Sequence, residues 1–233
     1  MKLNILFEDE YMLVCVKPYG VPSQGDKSND EDMVTILKNY LFDKADSDEE
    51  PYLAVIHRLD RPVGGVMIFA KTREAAGKLS DMMQEGKITK YYQAVLTGEL
   101  PDFDGDLVDY MIRDAKTNTA KIVPKGTKGA KRAALHYEVL DVFETNEGVF
   151  SYVLIELETG RHHQIRAQMA NQGCGVWGDT KYNPVHTKGK KYVQIGLYSS
   201  RIELTHPISG EELVFKSEPE GEAFDIIEMD EWE

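Results

Sequence analysis

His57-Arg58-Leu59-Asp60-Arg61-Pro62-Val63-Gly64-Gly65-Val66-Met67-Ile68-Phe69-Ala70 is the most informative stretch of this 233-residue chain. Its second half, Val66–Ala70, is a short apolar run after two glycines, as expected of a buried strand. Its first half crowds an imidazole, two guanidiniums, a carboxylate and a proline into six residues. Gly64 and Gly65 allow positive φ or close approach of another backbone. Asp60 between arginines is expected to stay ionised. An ionised, positioned carboxylate can act as nucleophile or base. On composition alone, a loop aspartate paired with Arg58 or Arg61 is the simpler reading.

Outward from this stretch, strands predominate. Leu3–Phe7 and Tyr11–Val16 read as two strands around an acidic turn, followed by the turn-rich Lys17-Pro18-Tyr19-Gly20-Val21-Pro22. Met33, Ile36, Leu37 and Tyr40 have helical spacing, and Asp43–Pro51 reads as an acidic loop. Arg73–Gln84 is predicted helical, with Ala76, Leu79, Met82 and Met83 on one face and Gly86 closing it. Tyr91–Gly98 is strand-like. Leu135–Phe143 and Val149–Leu157 predict a hairpin across Asn146-Glu147-Gly148, with alternation that leaves one face wet. A helix is predicted over His162–Gln172, then strands at Val193–Leu197 and Ile202–Leu204. With hairpins as well as crossovers, the fold class is α+β with a mixed, mainly antiparallel sheet and flanking helices.

Composition narrows the function classes. No apolar run reaches the ~18 residues of a membrane span, and the N-terminus meets Glu8 and Asp9 too soon for a signal peptide. Cys15 and Cys174 lie far apart, so a reducing, cytoplasmic setting is expected. The net charge of −13 would by itself argue against a polyanionic partner. It is, however, uneven. Residues 218–233 hold eight acids and no Lys or Arg, and residues 26–50 are also strongly acidic. In contrast, residues 113–132 hold Arg113, Lys116, Lys121, Lys125, Lys128, Lys131 and Arg132 against Asp114 alone. Lys181, Lys188, Lys190 and Lys191 form a second basic group. Such runs are either solvated loops or a phosphate-binding surface.

Two more clusters carry chemistry. Thr159-Gly160-Arg161-His162-His163-Gln164-Ile165-Arg166 joins a strand to a helix, where N–H groups and arginines favour an anion. His162 and His163 also raise a metal reading, with His57 and Asp60 as further ligands. Adjacent helical residues project about 100° apart, whereas helical zinc pairs use i, i+4, so no metal is expected. Lys90-Tyr91-Tyr92-Gln93-Ala94-Val95 is either sheet core or a place where a tyrosine stacks on a base.

In order along the chain, these blocks resemble the RluA-type RNA pseudouridine synthases. The resemblance rests on His57-Arg58-Leu59-Asp60 with Gly65 and Ala70-Lys71, Lys90-x-Tyr92-x-Ala94, and Thr159-Gly160-Arg161-x-His163-Gln164-Ile165-Arg166. Gly178-Asp179-x-x-Tyr182, His206-Pro207, Leu6-x-x-Asp9 and Val16-Lys17-Pro18-x-Gly20 complete it, from about residue 3 to about residue 216. Val63-Gly64 replaces the Thr-Ser of many members, and His162 stands where a Thr is common. The match starts within the first ten residues, so the small N-terminal RNA-binding domain of many members is not expected.

The resemblance implies a pseudouridine synthase catalytic fold over 1–217 with a central cleft, and an acidic tail over 218–233. It implies isomerisation of a uridine in ribosomal or transfer RNA, with no cofactor and no metal. Asp60 is then the catalytic carboxylate, Arg166 its ion-pair partner, and Tyr92 the residue that stacks on the uracil. Arg58, Arg61 and Arg161 are the implied nucleotide contacts. Lys121, Lys125, Lys128, Lys131 and Arg132 would grip RNA, with Lys181 and Lys188–Lys191 on a second rim. RNA is the expected partner of a monomer that uses no membrane.

Overall fold

The computed structural model describes residues 3–25, 30–45, 48–186 and 194–228. In chain order the elements are β1 (Asn4–Glu8), β2 (Met12–Lys17), α1 (Met33–Lys44), β3 (Ala54–Val55), β4 (Gly64–Ala70), α2 (Arg73–Gln84), β5 (Thr89–Thr97) and β6 (Asp104–Asp114). They continue with β7 (Thr119–Val123), β8 (Lys131–Thr145), β9 (Gly148–Leu157), α3 (Gln164–Asn171), β10 (Leu197–Thr205), β11 (Glu212–Lys216) and α4 (Glu222–Glu228). Two compact units divide them, one of residues 1–89 with 199–218 and one of residues 90–198 with 219–233.

In the first unit the strand order is β1-β2-β4-β10, with β3 on β4 and β11 on β10. Its central strand is β4, every residue of which is buried. The apolar run Val66–Ala70 has this cause: it pairs along β2 from Met12↔Ala70 to Val16↔Val66, and both faces are covered. Met12, Val14, Val66, Ile68 and Ala70 pack with Ala75 and Leu79 of α2 and with Ile202, Leu204 and Phe215. The helix carries the predicted apolar face, with Ala76, Met82 and Met83 partly buried beside it. Thr72 caps α2 by accepting from Ala75 N–H at 3.1 Å. Asp32 caps α1 by accepting from Val34 N–H at 2.9 Å. Both caps satisfy donors that a first turn leaves unpaired.

In the second unit the order is β5-β9-β8-β6-β7, with each adjacent pair antiparallel. The predicted hairpin is β8–β9, closing at Thr145↔Gly148 and longer at both ends than its apolar residues suggest. The strands β6 and β7 lie where a basic loop was expected. Residues 113–132 are instead the end of β6, all of β7 and the start of β8, with Arg113↔Ala120 and Tyr110↔Arg132 in register.

The C-terminal stretch also differs from the sequence reading. Residues 222–228 form α4, with Ala223 and Phe224 buried and Phe224 edge-on to Tyr152 and Tyr198. Ala223 and Phe224 thus help to seat a segment that otherwise reads as solvated acid. The strand expected at Val193–Leu197 starts only at Leu197 within the described residues. Among the described residues, no helix is long and apolar enough to cross a membrane.

Candidate functional site

The loop bearing Asp60 belongs to the first unit, and its main chain is tied down residue by residue. Val63 N–H donates to Asp60 O at 2.9 Å, closing a turn over Asp60-Arg61-Pro62-Val63. Ser23 Oγ donates to Leu59 O at 2.7 Å, and Leu59 N–H donates back to Ser23 Oγ at 3.1 Å. Gly20 N–H donates to Arg61 O at 2.9 Å, and Arg61 Nε donates to Gly20 O at 2.8 Å. Asp60 is half-buried, Leu59 and Val63 are buried on either side, and Arg58 is exposed. The glycines behind the loop have a definite cause. Gly65 has φ +119°, and a Cβ there would stand 2.3 Å from Ser199 O, so only glycine lets β4 run this close to β10.

Beneath the loop lies Lys17, one of the largest fully buried side chains. Its ammonium donates to Pro18 O at 2.9 Å, Val21 O at 2.8 Å and Arg61 O at 3.2 Å. Burial pushes its pKa down to about 7, while the field of Asp60 pulls it back toward the charged form. Lys17 therefore clamps residues 18–21 to the loop that carries Asp60. The sequence showed the lysine but not its partners, because Arg61 is 44 residues away.

The second cluster lies in the other unit. Its centre is the buried amide of Gln164. Gln164 Oε1 accepts from Thr159 Oγ at 2.7 Å and from Arg161 N–H at 2.9 Å, and Gln164 Nε2 donates to Ala134 O at 3.0 Å. This closes Thr159–Gln164 into a tight turn, and His163 ends it in the left-handed region at φ 50°, ψ 33°. That conformation is uncommon outside glycine. The helix α3 therefore starts at Gln164, two residues later than the apolar spacing suggests. His163 stacks on His162 with ring centroids 3.8 Å apart, and its Nδ1 lies 2.8 Å from Tyr182 Oη.

Arg166 is buried on α3. Its Nε and Nη2 meet Asp179 Oδ2 and Oδ1 at 2.7 and 2.8 Å, a fork-on-fork pair with almost no exposure on either side. Asp179 Oδ1 also accepts from Lys181 N–H at 2.9 Å. The Tyr182 ring lies 5.3 Å from the Arg166 guanidinium carbon. Within this unit, then, Asp179 is what fixes the arginine; sequence reasoning saw it only as part of Gly178-Asp179-x-x-Tyr182. Tyr92 sits on β5 opposite Ile155, buried, two residues beyond the buried Lys90.

The expected RNA contacts sort by how each cation is held. Arg132 pairs with Glu158 through both terminal nitrogens, and its carbonyl accepts from Arg161 Nε at 2.8 Å. Arg61 is engaged by Gly20 O and by Asp30, and Lys121 pairs with Asp114 at 3.2 Å. Lys125 lies 5.9 Å over the Tyr110 ring. Lys128 and Lys131 are exposed, with no ion pair among the described residues. Lys181 Nζ donates to Asn118 O at 2.9 Å, whereas Lys188, Lys190 and Lys191 lie outside the described residues.

Other nucleophile and ligand candidates are engaged differently. Burial pushes the Cys15 thiol up to about 12 and also raises Cys174, which leaves both as packing residues. His57 Nε2 accepts from Ile68 N–H at 3.2 Å, so that nitrogen's lone pair serves the backbone of β4.

A family model described as RNA pseudouridylate synthase matches residues 11–171. "Ribosomal large subunit pseudouridine synthase D" of Neisseria meningitidis serogroup B is 32% identical over 98% of this chain and 61% of its own length. The protein of that name from Pseudomonas aeruginosa is 29% identical over 93% of this chain and 68% of its own. The chain spans about three fifths of the length of the Neisseria relative. Among solved structures, Human RNA Pseudouridylate Synthase Domain Containing 1 superposes with a TM-score of 0.75 at 23% identity, covering 94% of this chain and 84% of that one. Human RNA Pseudouridylate Synthase Domain Containing 4 gives 0.76 at 20% identity, covering 93% and 88%.

Proposed function

The chain belongs to the RNA pseudouridylate synthase family, and from that premise we propose that it converts a uridine of large-subunit ribosomal RNA to pseudouridine. The observation that carries this is the family match over residues 11–171, which contains Asp60, Tyr92 and Arg166 in the motifs expected of a member. The names of the bacterial relatives support the ribosomal substrate.

In this reading the bond from the ribose C1′ to uracil N1 breaks, the ring turns, and C1′ joins C5. N1 gains a proton and C5 loses one, so the reaction needs neither redox chemistry nor an energy source. The target nucleotide leaves its stack to be reached. Asp60 is the carboxylate that either attacks the sugar or takes a proton during rearrangement. Tyr92 stacks on the uracil and stands ready for the late proton removal. Arg166 supplies the fixed positive charge that keeps Asp60 ionised, and its fork with Asp179 supports that role by setting its orientation. Exposed cations of the β6–β7 hairpin and the turn after it, Lys125, Lys128 and Lys131, meet the phosphate backbone.

The test is carbodiimide mapping of pseudouridine in total RNA, with and without the gene, and then with variants. Asp60→Asn is expected to abolish the modification while RNA binding persists. Full modification by Asp60→Asn would remove the assignment, and no gene-dependent site in any RNA would favour an RNA-binding protein without turnover. Reversing Lys125, Lys128 and Lys131 to Glu should weaken RNA binding and flatten its dependence on salt. An unchanged salt slope would place RNA on another surface.

A further inference from the structure

Among the described residues two lysines are buried, and they differ in what surrounds the ammonium. Lys17 donates to three carbonyls. The residue Lys90 is only 7% exposed, and its ammonium makes no hydrogen bond or ion pair among the described residues. Burial alone drives its pKa down, with no carboxylate raising it back. Removing an ammonium from water without a partner is unfavourable, so Met or Leu would be the stabler choice at this position. Such local conflicts between stability and residue type concentrate at functional sites.

Its placement suggests the use. On β5, Lys90 and Tyr92 are two residues apart and face the same side of the sheet, a separation of roughly 6.5 Å. The other end of the Lys90 side chain reaches the Thr159–Gln164 turn. A Cβ built at Gly160 would stand 3.5 Å from Lys90 Nζ. Any side chain at 160 would thus lie against the ammonium, and glycine leaves that approach bare. Arg161 follows, exposed to solvent. An uncompensated cation, a bare stretch of backbone and an aromatic on one sheet face together suit an anion joined to a flat ring.

We propose that Lys90 Nζ, over the bare backbone of Gly160, is the seat for one phosphodiester of bound RNA, that of the nucleotide whose base meets Tyr92. This rests on the reading of the chain as an RNA-modifying enzyme and adds a ligand contact to it. Lys90 is a binding residue here, and the RNA phosphate provides its missing counter-charge.

The experiment uses the full chain and a fluorescein-labelled single-stranded decamer of uridylate. Affinity is measured between 50 and 200 mM NaCl for wild type, Lys90→Met, Lys90→Arg and Gly160→Ala. Loss of one phosphate contact should lower the slope of log affinity against log salt by about 0.7 in Lys90→Met. Over that fourfold salt range wild type should therefore lose roughly threefold more affinity than the variant. Lys90→Arg should keep the wild-type slope, and Gly160→Ala should reproduce the loss by covering the ammonium. Lys90→Met should melt at the same or a higher temperature, since it removes an unpaired buried charge. Equal slopes for wild type and Lys90→Met, or a lower melting temperature for Lys90→Met, would overturn the proposal, the latter by showing a structural role. The assay needs no turnover. An active enzyme with a slope indifferent to Lys90 sinks this contact alone, and an inactive one whose slope depends on Lys90 sinks the isomerase reading alone.

Discussion

Around Asp60 the fastenings grip the main chain; around Arg166 they grip the side chain itself. The 57–63 loop is held by carbonyls of residues 18, 21 and 61 gathered on the Lys17 ammonium, and by the two-way exchange between Ser23 and Leu59. The Arg166 guanidinium is gripped by the Asp179 carboxylate fork, and the turn before it by the Gln164 amide. The two solutions suit what they hold. A short carboxylate cannot be aimed except by aiming its backbone, so its loop is clamped. A long guanidinium has many rotamers, and a planar fork selects one. The first arrangement depends on a buried charge that can titrate near neutral pH; the second depends on the two-point geometry of a buried fork.

The largest expected effect therefore belongs to the second. Asp179→Ala takes the two-point carboxylate fork away from the buried Arg166 guanidinium, and it also removes an acceptor for Lys181 N–H. Breaking a buried pair in this way costs about 3–5 kcal/mol. Urea denaturation should show that loss. A change under about 1 kcal/mol would mean that the fork is not the main anchor of the arginine.

Lys17→Met should be next. It strips three carbonyls of their donor, for a loss of about 2–3 kcal/mol. Its distinguishing feature is pH. The folded pKa is lowered to about 7 from an ordinary 10.5. Between those values the unfolded chain binds the extra proton, so this group makes folding more favourable as pH rises. The stability gap between wild type and Lys17→Met should widen from pH 7 to pH 9.5, by up to about 3 kcal/mol. Asp179→Ala should show no such widening. A gap that stays constant would mean Lys17 remains charged in the fold, and the contrast between the two regions would then rest on geometry alone.

Parts of this contrast were visible in the sequence and parts were not. The strand β4, the helix α2 and the β8–β9 hairpin announce themselves through local runs and alternation. The strands β6 and β7 do not. Asp104, Asp106, Asp109 and Asp114 interrupt the apolar residues of β6, and the lysines beyond them make the stretch read as solvated loop. The helix α4 is likewise hidden, because its buried Ala223 and Phe224 stand in a stretch, 218–233, that holds eight acids. At the site, the motifs around Asp60, Tyr92 and Arg166 could be seen, but their supports could not. Ser23 meets Leu59 across 36 residues, Lys17 meets Arg61 across 44, and Thr159 meets Ala134 across 25. No periodicity encodes such pairings. Only the left-handed His163 leaves a local trace, as a second histidine where helical spacing would otherwise continue.

The smallest effect should come from a hydroxyl that links the Arg166 cluster to the basic hairpin. The Tyr182 hydroxyl accepts from Ala120 N–H of β7 at 2.6 Å and lies 2.8 Å from His163 Nδ1. Its ring meanwhile packs with Ala120, Ala133 and Ala167. Tyr182→Phe keeps the ring and removes the hydroxyl, leaving Ala120 N–H without that acceptor, at a cost of about 1 kcal/mol. Hydrogen exchange should speed up at the Ala120 amide and leave the Leu59 amide, fastened to Ser23 in the other unit, unchanged. The straps described for the Asp60 loop, through Lys17 and Ser23, belong to its own unit. Faster exchange at Leu59 as well would show that the two regions are coupled and would break the division between them.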